Sequence, residues 1–127
     1  MDFIKLIESS LGGYIYRDAS NEEMTILGHF LASDIRCGGS ESYREWGLTD
    51  KWKNDETNGN ITALERSGNY ILLRDLFSEE EVPTALRMTR EQFGQMLTDW
   101  EEKVCKKKPR EVVIKHENDQ FIIETTE

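Results

Sequence analysis

Between Thr89 and Lys106, five apolar side chains recur at offsets of three or four residues: Phe93, Met96, Leu97, Trp100 and Val104. At about 100° per residue they share one stripe, so this stretch has to be a helix laid on a core. Thr89 is the expected N-cap, and Gln92 three residues on completes a capping box. Arg90, Glu91, Gln95, Glu102 and Lys103 take the wet face. Lys106, Lys107 and Lys108 stand where the negative end of the helix dipole favours cations, and Pro109 stops the helix. Every other element has to be fitted against this one, and nothing in it is reaction chemistry.

Upstream, Asp2 can cap a short helix to about Ser10, with Phe3, Leu6, Ile7 and Leu11 on its apolar side and Gly12-Gly13 at its end. Tyr14 to Arg17 has the aromatic and β-branched content of a strand. Residues 22–35 fit two periods. Met24, Leu27 and Leu31 repeat at helical spacing behind a Ser20/Glu23 capping box, whereas Met24, Ile26, Gly28 and Phe30 alternate as a buried strand does. The alternation is slightly favoured and pairs this stretch with Tyr14–Arg17. After the break at Cys37-Gly38-Gly39, Ser40 caps a short helix carrying Tyr43, Trp46 and Leu48, with Gly47 weakening its middle. Lys51 to Asn60 is a polar surface loop with Trp52 as its anchor, ending in the turn pair Asn58-Gly59.

The second half is clearer. Ile61–Arg66 and Tyr70–Asp75 flank Ser67-Gly68-Asn69 as a β-hairpin, and Thr84 to Met88 is a third strand leading into the long helix. After Pro109, Glu111–Lys115 and Gln120–Glu124 flank His116-Glu117-Asn118-Asp119 as a second hairpin. The expectation is a single α+β domain over residues 1–127. One antiparallel sheet of about 5–6 strands packs against the long helix at about 89–106, with short N-terminal helices.

At 127 residues the chain can bury a real core, and three Trp, five Phe and four Tyr argue against disorder despite 32% charged residues. No apolar run approaches the roughly 20 residues that span a bilayer, and Met1–Lys5 lacks the character of a signal peptide. A cytoplasmic protein without a membrane partner is expected. The net charge of −9 is uneven: residues 1–102 hold 20 acids against 10 bases, and residues 103–127 hold 5 against 6. Such a surface repels nucleic acid and hastens encounter with a basic protein; the plainer account is solubility. Cys37 and Cys105 allow a single disulfide, but in a reducing compartment free thiols are the favoured expectation.

Reaction chemistry finds little support. His29 and His116 lie in separate elements outside any HxxxH or HExxH pattern, so no metal is expected. Gly12-Gly13 and Gly38-Gly39 lack a phosphate-cradling frame, and no GxSxG elbow exists. No catalytic residue and no cofactor is therefore assigned. The densest acidic group is Asp75 with Glu79, Glu80 and Glu81, flanked by Leu76, Phe77 and Val82. It reads either as a solvated turn or as a negative docking patch with an apolar centre, suited to a basic protein surface. Asp55 and Glu56, near Trp52, form a second candidate for partner binding.

Several positions fit one pattern: Phe30-Leu31 with Asp34-Ile35, Ser42 and Trp46, Gly59-Asn60 before a strand, Asp75-Leu76-Phe77 with Glu79-Glu80, and Phe93, Leu97 and Trp100 on a helix. In this order the chain resembles small acidic bacterial immunity proteins encoded beside polymorphic or contact-dependent growth inhibition toxins. The likeness covers roughly residues 26–104. It implies a non-enzymatic inhibitor that binds a cognate toxin domain, often a nuclease, and blocks its active site or a substrate surface. Two other classes stay in view, an acidic nucleic-acid mimic of the anti-restriction type and a small enzyme. The first would need carboxylates spaced like phosphates, yet here they mix with 16 bases.

Overall fold

The computed structural model of the chain describes residues 2–49, 51 and 53–127, so the expected anchoring role of Trp52 lies outside the described residues. The stripe of the long helix behaves as its spacing requires. α3 (Arg90–Asp99) continues into a π-helical segment, Trp100–Cys105, and Phe93, Met96, Leu97, Trp100 and Val104 are all buried. The capping box forms in both directions: Thr89 Oγ1 accepts from Gln92 N (3.0 Å) and Gln92 Oε1 from Thr89 N (2.7 Å). In the π-helical turn the Lys106 N–H reaches back five residues to the Glu101 carbonyl at 3.1 Å.

The fold is α+β, but its strands form two antiparallel sheets of four rather than one sheet of five or six. The first has the order β2-β1-β7-β8, built from β1 (Asp2–Glu8), β2 (Tyr14–Ala19), β7 (Glu111–Glu117) and β8 (Gln120–Thr126). The second has the order β3-β4-β5-β6, built from β3 (Glu56–Asn58), β4 (Thr62–Ser67), β5 (Tyr70–Asp75) and β6 (Ala85–Thr89). The two expected hairpins and the strand into α3 appear where the sequence pattern puts them. In the C-terminal hairpin Glu117 pairs with Gln120, leaving Asn118 and Asp119 as a two-residue loop with φ of 51° and 59°. That is the left-handed pair a type I′ turn needs, and Asn and Asp tolerate it best after Gly.

The N-terminal helix expected over residues 2–10 is a strand instead. Ile4 and Leu6 point into the core, while Phe3, Lys5 and Ile7 stay partly exposed. β1 pairs with β7 in register, Ile4 opposite Ile114 and Leu6 opposite Val112, more than a hundred residues away. Such a pairing is invisible to local periodicity. Gly12 and Gly13, with φ of 97° and 72°, turn the β1–β2 hairpin rather than cap a helix, leaving Leu11 exposed at its tip.

The strand favoured over residues 22–35 is likewise a helix, α1 (Glu22–His29), continuing as a π-helical segment, Phe30–Ile35. Asn21 caps it by accepting from Met24 N at 2.9 Å. Ser20, expected in that role, instead accepts from Phe3 N (2.9 Å). α1 touches β1 and β2 of one sheet and β5 and β6 of the other. A helix covered on two sides buries Met24, Ile26, Leu27, Gly28, Phe30 and Leu31 together, and that apolar density imitates strand alternation.

α2 (Ser40–Leu48) lies against α3. A Cβ on Gly47 would sit 2.6 Å from Cδ2 of the Phe93 ring, so this glycine serves close helix–helix approach. The expected free thiols are a disulfide: Cys37 and Cys105 are bonded, with Cα atoms 5.4 Å apart. Each cysteine follows or ends a π-helical segment, and the adjacency of those two segments brings them together. Arg36, at φ 51°, accepts from Trp100 Nε1 at 2.7 Å through its carbonyl, fixing the same corner.

Candidate functional site

β5 ends at Asp75, and the acidic turn begins with hydrogen bonds made by the chain itself. Leu76 N donates to Ile61 O (2.9 Å), extending the ladder by one rung. Asp75 Oδ1 then accepts from Phe77 N (2.9 Å), while Ser78 N donates to the Asp75 carbonyl (3.2 Å) and Glu80 N to Ser78 Oγ (3.3 Å). These are the Asx and Ser turns expected of short polar side chains at a strand end. Pro83 lacks an N–H, which suits the step before β6.

Glu79, Glu80 and Glu81 are exposed on this turn, and no ion pair engages them among the described residues. The apolar centre anticipated in sequence is there as well. Phe77 is 68% and Val82 86% exposed, although both are large enough to be worth burying.

α1 adds two carboxylates that local pattern did not assign to the site. Glu22 and Glu23 are exposed in its first turn, and Glu22 Oε2 accepts from Thr84 Oγ1 (3.2 Å), tying the helix start to the end of the acidic loop. Acids in a first turn are ordinary complements of the helix dipole, so their proximity to residues 75–84 becomes apparent only once α1 is placed. Between α1, the start of β4 and the end of β5 runs a groove lined by Glu22, Ile26, His29, Ile61, Asp75 and Phe77.

Asp55 and Glu56 are not part of this surface. They sit at the far end of the β4 ladder, beside Arg66 and Glu65, whereas Asp75 pairs with Thr62. Asp55 is engaged: its Oδ1 accepts from Arg66 Nη2 at 3.1 Å. Arg66 is buried, donates further to the carbonyls of Trp46 (2.8 Å), Thr49 (3.1 Å) and Asn54 (2.8 Å), and lies over the Trp46 ring. A buried guanidinium needs such acceptors, which makes Asp55 a structural partner. Glu56 faces Glu65 across the β3–β4 ladder, a like-charge pair on the open face of that sheet.

Two positions of the sequence pattern have an architectural role. Asp34 accepts from Asn60 N (3.0 Å), Ile61 N (3.2 Å) and Thr62 N (3.0 Å), pinning the π-helical segment to the β3–β4 turn. Gly59 is required there, because a Cβ would lie 2.5 Å from the Asp34 carboxylate. The histidines stay apart, His29 edge-on to Tyr16 and His116 stacked on Phe121. Among the described residues no group of three or more His, Cys, Asp or Glu converges to hold a metal ion, and no helix is long and apolar enough to cross a membrane.

Two phenols are pushed up from their ordinary range. Burial raises Tyr14, with a contribution from Glu8, and its hydroxyl donates to Pro109 O at 2.5 Å. Burial also raises Tyr43, assisted by Asp34. Both are packing consequences away from the acidic turn. No family model matches the chain, and neither a curated protein nor a solved structure matches it.

Proposed function

We propose that this chain is a non-enzymatic immunity protein that neutralises a basic toxin domain, of the nuclease kind, by binding it through the acidic turn between β5 and β6. One observation carries the reading: Phe77 and Val82 stand exposed among three carboxylates that no ion pair engages among the described residues. An apolar centre with a charged rim is the anatomy of a protein interface, and the negative rim selects a positive partner. Glu22 and Glu23 widen the acidic rim. The cysteine-bonded end, where the basic run Lys106–Arg110 lies, is separated from it by the 14 residues of the α1 helical run, about 20 Å. A charge distribution of that kind orients an incoming basic domain as well as attracting it. Asp55 and Glu56 drop out of the primary surface.

The test is binding kinetics against the protein encoded by the neighbouring gene, at two salt concentrations. Replacing Glu79, Glu80 and Glu81 by Lys should slow association about tenfold or more, and added salt should slow the unmodified protein. An unchanged association rate in the reversed variant would move the interface elsewhere. Cytoplasmic action belongs to the same proposal, and the Cys37–Cys105 bridge is the feature that opposes it, since reducing compartments keep thiols free. Thiol labelling of protein trapped by acid from living cells decides the matter: labelled cysteines support cytoplasmic action, and a protected pair removes it.

A further inference from the structure

We infer that the groove between α1 and the β4–β5 end is an anchor site for one arginine side chain projecting from the basic partner. This inference rests on the partner-binding reading of the adjoining acidic turn. The groove has an apolar floor, formed by buried Ile26 and partly buried Ile61, and an exposed aromatic wall, Phe77. Its rim holds two carboxylates, Glu22 and Asp75, and its lining contains neither Lys nor Arg. That combination suits a guanidinium better than any other protein side chain. The planar cation stacks on an aromatic face, its stem covers apolar surface, and its fork reaches two acceptors at once.

Both carboxylates are already oriented. Glu22 spends Oε2 on the Thr84 hydroxyl (3.2 Å) and Asp75 spends Oδ1 on the Phe77 N–H (2.9 Å). Each keeps a second oxygen for an incoming donor, so less side-chain freedom is lost on binding than with two freely rotating acids. Lysine would satisfy the charge alone, without stacking or a planar fork. Phe77 is meanwhile too exposed to owe its place to the core, and an arginine laid against it covers the apolar surface the fold leaves open.

The experiment is an amide-shift titration of the isotopically labelled protein with blocked Gly-Arg-Gly, and in parallel with the same peptide carrying citrulline or lysine. Saturable shifts should be confined to the groove, at Glu22, Ile26, His29, Ile61, Asp75 and Phe77. Citrulline should produce none, and lysine should bind about fivefold or more weakly. Phe77→Ala should weaken the arginine peptide by a similar factor, and Glu22→Gln with Asp75→Asn should abolish its effect. Shifts scattered over all exposed carboxylates, an equal response to lysine, or no response would overturn the anchor site. Capture of the neighbouring gene's product, the candidate toxin, by the unmodified protein is scored separately. A toxin that binds while the groove stays silent sinks only the arginine site. A toxin that fails to bind while the groove takes up arginine sinks the immunity reading.

Discussion

Arg66 shows how a single charged side chain can be spent on architecture. Three carbonyls and the Asp55 carboxylate receive its donors, so removing the guanidinium strands the buried Trp46 carbonyl and leaves two part-buried carbonyls without their donor. Arg66→Met, which keeps the stem, is expected to cost about 2 kcal/mol in urea denaturation. Asp55→Asn should cost at most about 1 kcal/mol, because that carboxylate is largely exposed. Equal losses would mean that the ion pair, and not the carbonyl cage, holds the corner. Tyr14 makes a pH-dependent contribution. Burial lifts its phenol above the ordinary value of 10.0, so its stabilising effect is complete below that value and is lost as pH rises through the folded-state value. Stability should therefore fall above about pH 10, with the fall shallower in Tyr14→Phe when followed by circular dichroism.

At the scale of elements, the π-helical ends of α1 and α3 are where the molecule is fastened. Trp100 lies on the buried stripe and holds Arg36 O, so Trp100→Ala should cost about 4 kcal/mol, against about 0.5 kcal/mol or less for exposed Glu102→Ala. Comparable losses in chemical denaturation would refute the assignment of helix faces. The bridge between Cys37 and Cys105 spans a sequence separation of 68, and its reduction should remove about 4 kcal/mol by freeing the unfolded chain. The thermal midpoint should drop on adding dithiothreitol, and a Cys37→Ser/Cys105→Ser variant should show no such response. Gly47 marks the α2–α3 contact. Alanine gains about 1 kcal/mol of helix propensity but drives a methyl into Phe93, whose ring is itself packed on Phe30, so Gly47→Ala should lose stability overall. A gain in thermal midpoint would show that Phe93 has room to yield.

For the molecule as a whole, the decisive fact is that α1 and α3 each touch both sheets, so one cluster of buried residues runs through both. Both sheets are covered by the same two helices. Unfolding should accordingly be one transition, with tryptophan fluorescence and far-ultraviolet circular dichroism coincident; two separated transitions would divide the chain into independent units. Much of this arrangement was legible locally. The five-residue stripe, its Thr89 cap, both hairpin turns and the exposed acids of residues 79–81 follow from spacing and turn chemistry, which act over a few residues. Other features needed the whole chain. Residues 2–8 carry apolar side chains that fit either period, and only β7 supplies the backbone partners that make them a strand. Residues 22–35 are helical because the space between two sheets accepts a helix that is apolar on more than one side. The same long-range packing brought Cys37 to Cys105, gave Asp55 to Arg66, and set Glu22 beside the acidic turn. Periodicity reports which faces of an element want burial; the partner that buries them is decided by contacts distant in sequence, and those exist only once the chain has folded.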